Sequence, residues 1–319
     1  MSAAARPLGT SGLTTPPLVL GGNVFGWTAD KAASFRLLDR FADAGGTLID
    51  TADVYSAWVP GHTGGESEAI IGDWLKASGK AGNMQVATKV GMLAGEGGDK
   101  LAPARIAAAC DASLRRLGVE TIDLYFAHQD DESVPQAEVL GVFARLIDAG
   151  KVRAIGASNF GAARLESALD VAERDGLPRY TVLQPEYNLV SRGRFEGALQ
   201  DLCVARDIGA IPYYGLASGF LTGKYRTADD LGQSVRGGRM GALLEGKGAA
   251  VLAAMDSVAA ETGATLAQIA LAWLAAQPGV TAPIASATSL GQLDELVGSW
   301  DVALTPEQLA RLTAAGMDA

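Results

Sequence analysis

The sequence has few residues of the kinds that crosslink a chain or hold a metal. Its 319 residues include two cysteines, Cys110 and Cys203, and two histidines, His62 and His128. Two cysteines without a paired spacing do not make a disulfide framework or a zinc site, so we expect two buried free thiols in a reducing compartment. No metal site is predicted, and a cytoplasmic location is expected.

The sequence also lacks an excess of positive charge. There are 26 lysines and arginines against 36 acidic residues, which gives a net charge of -10. An acidic surface repels phosphate backbones and anionic lipids, so nucleic acids and membrane surfaces are not expected partners. A local basic pocket is still compatible with this overall charge.

No long hydrophobic run is present. Residues 1–7 lack the apolar stretch of a signal peptide. Among the longest apolar stretches, residues 264–276 are too few to span a bilayer and include the polar Gln268. We therefore expect a soluble protein. No exposed apolar helix stands out either, so the sequence leaves the oligomeric state open.

A glycine-rich dinucleotide fingerprint is missing after the first apolar strand. An open, doubly wound sheet would be expected to place a G-x-G-x-x-G turn there. Residues 21–26 contain the glycines Gly21, Gly22 and Gly26, but at the wrong spacing. If a dinucleotide binds, it binds by other means.

Short apolar runs alternate with amphipathic stretches along the whole chain. Several runs are apolar on both faces, as strands of a helix-covered parallel sheet are. Eight such units close a barrel. We predict an α/β fold, a single (β/α)8 TIM barrel in one domain over residues 1–319. The predicted strands are residues 18–20, 47–50, 85–89, 122–127, 152–157, 181–184, 210–213 and 281–285.

Helical patterns lie between these strands. Residues 31–44, 103–117 and 136–149 each carry an apolar face, and Pro103 and Gly150 stand at positions typical of a helix start and stop. Only the interval between strands 7 and 8 is long. It holds a loop at residues 215–248 before two further helices, and a segment of that size is usually functional.

Polar residues recur where the predicted strands end, which is the face that carries active sites in parallel barrels. Lys89 ends the third strand and Asp50 ends the second, about 5 Å away in the hydrogen-bonding direction. A lysine there would be costly to bury as a cation without a carboxylate. Lys89 and Asp50 therefore form either a structural ion pair at the top of the barrel or part of a catalytic site.

Tyr55 and His128 follow neighbouring strands. An unperturbed phenol is a poor proton donor near neutrality, but beside Lys89 we expect its pKa to fall toward the working range. His128, as a neutral imidazole, is suited to orienting a carbonyl oxygen by hydrogen bonding. The alternatives are a packing tyrosine and a satisfied buried histidine. His62 lies in a glycine-rich loop and receives no role.

The later strand ends carry groups that can hold an amide. Ser158 and Asn159 can donate and accept hydrogen bonds to a carboxamide, although either could instead cap the next helix. Gln184 is suited to the same amide and Tyr213 to stacking on a flat heterocycle; core packing is the alternative for both. Ser289 and Gln292 have capping-box spacing at a predicted helix start, which would also suit a nucleotide phosphate.

Taken together, these residues resemble the aldo-keto reductase family, in particular its bacterial branch that is similar to potassium-channel β-subunits. The resemblance covers nearly the whole chain. The matching segments are residues 8–13, 20–26, 50–55, 65–68, 88–90, 128, 150–153, 156–160, 184–188 and 218–225.

The resemblance implies a catalytic tetrad of Asp50, Tyr55, Lys89 and His128. In it, Tyr55 donates a proton, Lys89 and Asp50 lower its pKa, and His128 orients the substrate. Hydride passes from nicotinamide to the carbonyl carbon of an aldehyde or ketone without a metal.

The resemblance also implies a cofactor site, with NADP(H) expected and NAD(H) as the alternative. The long loop would cover the cofactor, and Tyr213 would stack on nicotinamide. The cofactor-binding residues implied are Gly22, Asn23, Ser158, Asn159, Gln184, Tyr213, Leu216, Ser218, Lys224, Ser286, Gln292 and Glu295.

Three features depart from the family pattern. Residues 281–302 contain no lysine or arginine for a 2′-phosphate, so Arg226, Arg236 or Arg239 would have to supply that charge for NADP(H). Tyr214 and Gly215 replace the usual Ser-Pro. The loop after Tyr55 is extended, and we expect its Trp58, with Trp27, to wall the substrate pocket.

Other functions stay open at this stage. The same site would oxidise alcohols or sugars as an aldose dehydrogenase. A slow-turnover, cofactor-sensing regulatory subunit would keep the same tetrad. A Schiff-base enzyme would use Lys89 as a nucleophile, but it would leave Tyr55 and His128 without a joint purpose. The expected substrate is a small carbonyl compound or a sugar.

Overall fold

A computed structural model describes residues 4–233 and 237–317. The strands are β1 (Arg6–Pro7), β2 (Thr14–Thr15), β3 (Val19–Gly21), β4 (Leu48–Asp50), β5 (Gln85–Val90), β6 (Ile122–Ala127), β7 (Val152–Ser158), β8 (Val182–Gln184), β9 (Gly209–Ala210) and β10 (Ile284–Ala285). The helices are α1 (Lys31–Asp43), α2 (Glu66–Ser78), α3 (Pro103–Leu117), α4 (Gln136–Asp148), α5 (Ala162–Asp175), α6 (Ala198–Ala205), α7 (Lys247–Thr262), α8 (Leu266–Ala275), α9 (Leu290–Gly298) and α10 (Pro306–Ala315).

Strands β3 to β10 form one parallel sheet in the order β10-β3-β4-β5-β6-β7-β8-β9. The segment before β10 joins the two ends of this sheet: the amide of Ala210 donates to the carbonyl of Gly279, and that of Thr281 to the carbonyl of Ala210, both at 2.8 Å. The sheet therefore closes on itself. With helices between the strands, this is the predicted (β/α)8 TIM barrel.

The eight predicted strands are all present, but the last two are shorter than predicted. Residues 210–213 and 281–285 were expected as strands, whereas the ladder covers only Gly209–Ala210 and Ile284–Ala285. Pro212 and Pro283 interrupt these segments, and proline has no N–H to donate to a ladder. Tyr213 instead makes an isolated bridge with Glu186.

The interior of the barrel is filled by apolar side chains from the strands together with Leu8 and Leu13 of the β1–β2 hairpin. This hairpin packs against the amino-terminal ends of the strands. Gly9 has φ +53°, and a Cβ there would lie 2.3 Å from the carbonyl oxygen of Thr181. The hairpin thus closes the barrel at the end opposite the predicted site.

A second, larger core lies between the sheet and the helices. The predicted helices are confirmed, and the start at Pro103 and the stop at Gly118, with φ +66°, follow the local sequence. Cys110 and Cys203 are buried free thiols within this core. Burial raises the pKa of each to about 12.

The segment between β9 and α7 is irregular, as predicted. Its described parts form short 3-10 turns at Ala217–Thr222, Ala228–Gln233, Gly237–Arg239 and Gly241–Leu243. Arg236 and the side chain of Arg239, two of the candidates for binding a 2′-phosphate, lie outside what the structure describes.

Within the described ranges, no single helix has both the length and the apolar character needed to cross a bilayer. The pair Lys247–Thr262 and Leu266–Ala275 meets those criteria only together, and it is bent by 97°.

Candidate active site

Lys89 lies at the centre of a buried cluster at the carboxyl ends of the strands. Its ammonium donates to Oδ2 of Asp50 and to the carbonyl oxygen of Thr51, both at 2.7 Å, and to the phenolic oxygen of Tyr55 at 3.2 Å. These three acceptors match the three hydrogens of an ammonium group. Lys89 and Asp50 were predicted to meet on neighbouring strands, and β4 and β5 bring them together.

The ionic state of the cluster follows from burial and these contacts. The side chains of Lys89 and Asp50 are 0% and 3% exposed. Burial lowers the pKa of Lys89, but Asp50 and Tyr55 raise it more, so that its pKa lies above the ordinary value. Burial raises the pKa of Asp50, and Lys89 offsets part of that effect. Lys89 is therefore an ammonium at neutral pH.

The pKa of Tyr55 differs from the prediction. Lys89 does lower it, but burial raises it more, and Asp50 adds to the increase, so that the pKa lies above its ordinary value. The expectation of a net decrease is thus wrong for this structure. The physical reason is that desolvation penalises a phenolate more than one shared ammonium stabilises it. The phenol is fully protonated at neutral pH.

His128 lies beside this phenol, with its ring centroid 6.0 Å from that of Tyr55. Burial and, to a smaller extent, Lys89 lower the pKa of His128 well below its ordinary value, so the imidazole is neutral. Its Nδ1 is buried and has no hydrogen-bond partner in the described part of the chain. A buried nitrogen without a partner costs free energy, and a catalytic role is one explanation for such a group.

The residues predicted to hold a carboxamide lie side by side. Asn159 donates to Oγ of Ser158 at 3.2 Å and to the carbonyl of His128 at 2.9 Å, while its Oδ1 accepts from the hydroxyl of Tyr213 at 2.8 Å. The alternative reading, an N-cap at Ser158 or Asn159, is wrong because Gly161 precedes the first residue of α5.

Gln184, the third residue predicted to hold a carboxamide, has its side chain bound to Asp50. Its Nε2 donates to Oδ1 of Asp50 at 2.8 Å, so each oxygen of that carboxylate has a partner. Ser158 donates to the carbonyl oxygen of Gln184 at 2.9 Å. Gln184 therefore links Ser158 and Asn159 to the Lys89 cluster. The sequence did not indicate this connection.

At the predicted adenosine end, Ser286 and Asn23 contact each other through a hydrogen bond of 2.6 Å. Gly22, at the end of β3, donates its amide to the carbonyl of Asp50. Ser289 is the predicted N-cap of α9 and accepts from the amide of Gln292.

The side chain of Gln292 does not complete a capping box. Its Oε1 accepts instead from the amide and hydroxyl of Thr288, at 2.8 and 3.0 Å. Glu295 lies in the same helix and is partly buried.

The predicted loop residues are spread over the turns after β9. Leu216 packs against the core, and Ser218 has φ +56°, an uncommon backbone conformation for a non-glycine residue. The ammonium of Lys224 lies 5.0 Å from the ring centroid of Tyr225. Arg226 forms a bidentate pair with Asp256, with both contacts at 2.8 Å, so its charge is already neutralised.

Aromatic side chains line one side of Tyr55. The ring of Trp58 lies 5.6 Å from that of Tyr55 and 5.6 Å from that of Trp27. Trp58 is 46% exposed despite both contacts. On the other strand ends, the rings of Tyr213 and Tyr214 are 5.0 Å apart, and Tyr214 is 48% exposed.

Sequence reasoning missed two ion pairs behind the site. Asp53 pairs with Arg105 at 2.9 Å, and Glu68 pairs with Arg116 at 2.6 Å while accepting from the hydroxyl of Thr88. Asp53 stands in the same short segment as Asp50 and Tyr55, but its partner is more than fifty residues away. No local spacing could have revealed it.

Comparison with known proteins agrees with this architecture. The model of the aldo/keto reductase family matches residues 17–316. The chain is 32% identical to a probable voltage-gated potassium channel subunit beta of Oryza sativa subsp. japonica, over 97% of this chain and 95% of that protein. It is also 32% identical to the uncharacterized oxidoreductase YrpG of Bacillus subtilis, over 96% of this chain and 93% of that protein.

A shorter relative is more similar over a limited region. An uncharacterized 11.2 kDa protein of Pseudescherichia vulneris is 58% identical over 28% of this chain and 86% of its own length. The full-length matches and the closed barrel lead to one conclusion: the chain belongs to the aldo/keto reductase family, whose members are NAD(P)H-dependent oxidoreductases.

Proposed function

We propose that this protein reduces an aldehyde or ketone to an alcohol, with Tyr55 as the proton donor. The observation that carries the proposal is the 3.2 Å contact between the ammonium of Lys89 and the phenolic oxygen of Tyr55. A phenol held against a buried cation, beside a neutral imidazole, is an arrangement suited to general acid catalysis.

The side chains fit a nicotinamide cofactor. Asn159, Ser158 and Gln184 present amide and hydroxyl groups on adjacent strand ends, and the ring of Tyr213 is fixed beside them by its hydrogen bond to Asn159. Amides and hydroxyls match the donor and acceptor pattern of a carboxamide. When bound, a reduced nicotinamide supplies the hydride.

The chain's own residues manage the proton. As negative charge develops on the carbonyl oxygen, the Tyr55 hydroxyl transfers its proton to that oxygen, and the alcohol O–H forms as the phenol O–H breaks. An alkoxide is a far stronger base than a phenolate, so this transfer is favourable even with the raised pKa of Tyr55. Lys89 stabilises the phenolate left behind until solvent returns the proton.

His128 orients the substrate in this scheme. Because its imidazole is neutral, it can donate one hydrogen bond to the carbonyl oxygen without adding a full charge. Asp50, held by Gln184 and Lys89, keeps the ammonium in place beneath the phenol.

We propose NADP(H) as the preferred cofactor, with NAD(H) as the alternative. Lys224 is an exposed cation on the loop after β9 that would face the phosphates. Arg226 is a weaker candidate for the 2′-phosphate because Asp256 already neutralises its charge. Titrating the protein with NADPH and NADH, while following intrinsic fluorescence, decides between the two.

The direct test of the reaction is reduction of an activated aldehyde such as 4-nitrobenzaldehyde. Tyr55→Phe is expected to lower turnover by about 100-fold or more, as loss of a general acid does. Its affinity for the cofactor should be nearly unchanged, because the residues proposed to bind the cofactor lie in other segments of the chain. Equal losses of turnover and cofactor affinity would assign Tyr55 a structural role.

A second candidate is a slow-turnover regulatory subunit that senses its cofactor. It is favoured by the similarity to a protein named as a probable potassium channel subunit beta. Fluorescence decay of bound NADPH in a single turnover separates the two: completion within seconds supports an enzyme, and persistence for many minutes supports the regulatory role. Oxidation of an aldose by NADP⁺, tested in the same preparation, identifies the aldose dehydrogenase alternative.

A further inference from the structure

The carboxylate of Glu66 closes the loop that connects Tyr55 with helix α2. Its Oε1 accepts from the backbone amide of Thr63 at 2.7 Å, and its Oε2 from that of Ser56 at 3.1 Å. The amide of Gly64 donates to both oxygens, at 3.2 and 3.0 Å. One side chain thus holds both ends of residues 56–64, which we call the Trp58 loop.

Glu66 is suited to this contact as an anion. Burial raises its pKa, but the backbone amides of Thr63, Ser56 and Glu66 itself, together with His62, lower it more, and the net shift is downward. Hydrogen bonds from N–H groups to a carboxylate are stronger than those to a neutral acceptor. His62 also contacts the hydroxyl of Ser56 at 3.0 Å, which adds a second link across the loop.

The Trp58 loop carries an aromatic side chain to the mouth of the site. Trp58 packs edge-to-face against both Tyr55 and Trp27. Nearly half of the side chain stays exposed, so part of the indole is available to a bound molecule. An exposed indole can pack edge-to-face or offset-stacked against an aromatic ring of a bound molecule.

Tyr55 also has contacts outside the Trp58 loop. Its carbonyl accepts from the amide of Gly65 at 2.9 Å, and its hydroxyl is held by Lys89. Disturbing the loop should therefore move Trp58 more than it moves the phenol.

We propose that Glu66 is a positioning residue that holds Trp58 beside Tyr55 and so selects aryl aldehydes over small aliphatic ones. The proposal rests on carbonyl reduction at Tyr55. Glu66 acts through the loop backbone and touches neither the substrate nor the reacting atoms. Removing its carboxylate would free the Trp58 loop. Binding would then weaken only for substrates whose ring reaches the indole.

The test compares Glu66→Gln with Glu138→Gln in the otherwise unchanged protein. Glutamine keeps the volume of Glu66 but places an NH2 group opposite a backbone N–H. Glu138 also lies in the first turn of a helix, α4, and is exposed, so its replacement removes the same charge from a comparable position. Steady-state kinetics are measured with 4-nitrobenzaldehyde and with propanal.

For Glu66→Gln we expect KM for 4-nitrobenzaldehyde to rise about tenfold, an amount equal to about 1.4 kcal/mol. The kcat for both aldehydes and KM for propanal should stay within about twofold, since typical surface changes are that small. Glu138→Gln should match the parent. Equal increases in KM for both aldehydes, or none for either, would overturn the proposal.

A double-mutant cycle with Trp58→Ala tests the route of the effect. If Glu66 acts through Trp58, Glu66→Gln adds nothing to KM for 4-nitrobenzaldehyde once the indole is gone. Additive effects of the two substitutions would contradict the proposal.

Acrylamide quenching provides a readout that does not need turnover. The contribution of Trp58 is obtained by subtracting the signal of Trp58→Phe from that of the parent, and the same subtraction is made in the Glu66→Gln background. We expect Trp58 to be quenched more readily in Glu66→Gln than in the parent. An unchanged quenching of Trp58 would refute the proposal that Glu66 holds the Trp58 loop. If the parent reduces no carbonyl compound, the proposed function fails while this measurement still decides whether Glu66 holds the loop.

Discussion

The ammonium of Lys89 lies 2.7 Å from a carboxylate oxygen of Asp50 in a place where neither side chain reaches solvent to more than 3%. Burying either charge alone would cost several kcal/mol, so each ion is tolerable only because of the other. The same ammonium contacts Tyr55, and the stability of the barrel and the chemistry of the phenol therefore depend on one group.

Lys89→Met should destabilise the protein by about 3–5 kcal/mol, because it leaves the carboxylate of Asp50 buried without its counterion. The double variant Asp50→Asn/Lys89→Met removes both charges and should be clearly more stable than the single one. Chemical denaturation followed by circular dichroism measures both. A double variant no more stable than Lys89→Met would show that the buried ion pair does not govern stability here.

Asp53 should make stability depend on pH. Burial, and secondarily Glu68, raise its pKa to about 7 in the folded protein, above the ordinary value of 3.8. The folded state then binds more protons than the unfolded state between these values, so the stabilisation is present at low pH and lost as pH rises through about 7.

The measurement for Asp53 compares parent and Asp53→Asn by denaturation at pH 5 and pH 8. Asparagine does not titrate, so a pH-dependent difference in stability between parent and variant reports the titration of Asp53. The parent should be more stable relative to the variant at pH 5 than at pH 8. A difference in stability that is the same at both pH values would exclude a raised pKa for Asp53.

Tyr213 should matter for cofactor binding through its ring. Tyr213→Ala is expected to weaken binding of NADPH about tenfold, since aromatic stacking adds about 1 kcal/mol to the loss of contact area. Binding of ADP-ribose, which lacks nicotinamide, should be unchanged. Tyr213→Phe keeps the ring and loses only the hydrogen bond to Asn159, so it should lie much closer to the parent. Equal effects of both substitutions on NADPH affinity would assign the hydroxyl, and not the ring, the dominant role.

The two cations after β9 should differ in their effects. Arg226→Ala should leave the ratio of NADPH to NADH affinity unchanged, because Asp256 already occupies the guanidinium. Lys224→Ala should weaken the binding of a phosphate-bearing cofactor by about two- to fivefold, as expected for an exposed charge pair. Fluorescence titrations with both cofactors test this. A loss of NADPH preference in Arg226→Ala alone would reverse the assignment.

Much of the fold could be predicted because its signals are local. Apolar runs and proline or glycine boundaries predicted the number and order of the barrel strands and the bounds of helices such as Pro103–Leu117. The ends of β9 and β10 were misplaced because Pro212 and Pro283 continue the apolar pattern but cannot donate to a ladder. Periodicity reports which residues are apolar and does not report which amides have partners.

The site was predicted in outline and missed in detail for a related reason. Lys89 and Asp50 follow adjacent strands, so strand order alone brings them together. The bond from Gln184 to Asp50 crosses the barrel, and the sign of the pKa shift at Tyr55 depends on how much solvent the finished fold removes. Neither is encoded in any short stretch of sequence.

The two cysteines also determine how the protein would tolerate an electrophilic substrate such as the proposed aldehyde. Aldehydes and other carbonyl compounds are electrophiles that modify thiolates, and an exposed, acidic cysteine would be alkylated during use. Cys110 and Cys203 are wholly enclosed, and at a pKa of about 12 almost none of either is ionised at neutral pH. The described surface therefore offers reactive compounds no cysteine thiolate.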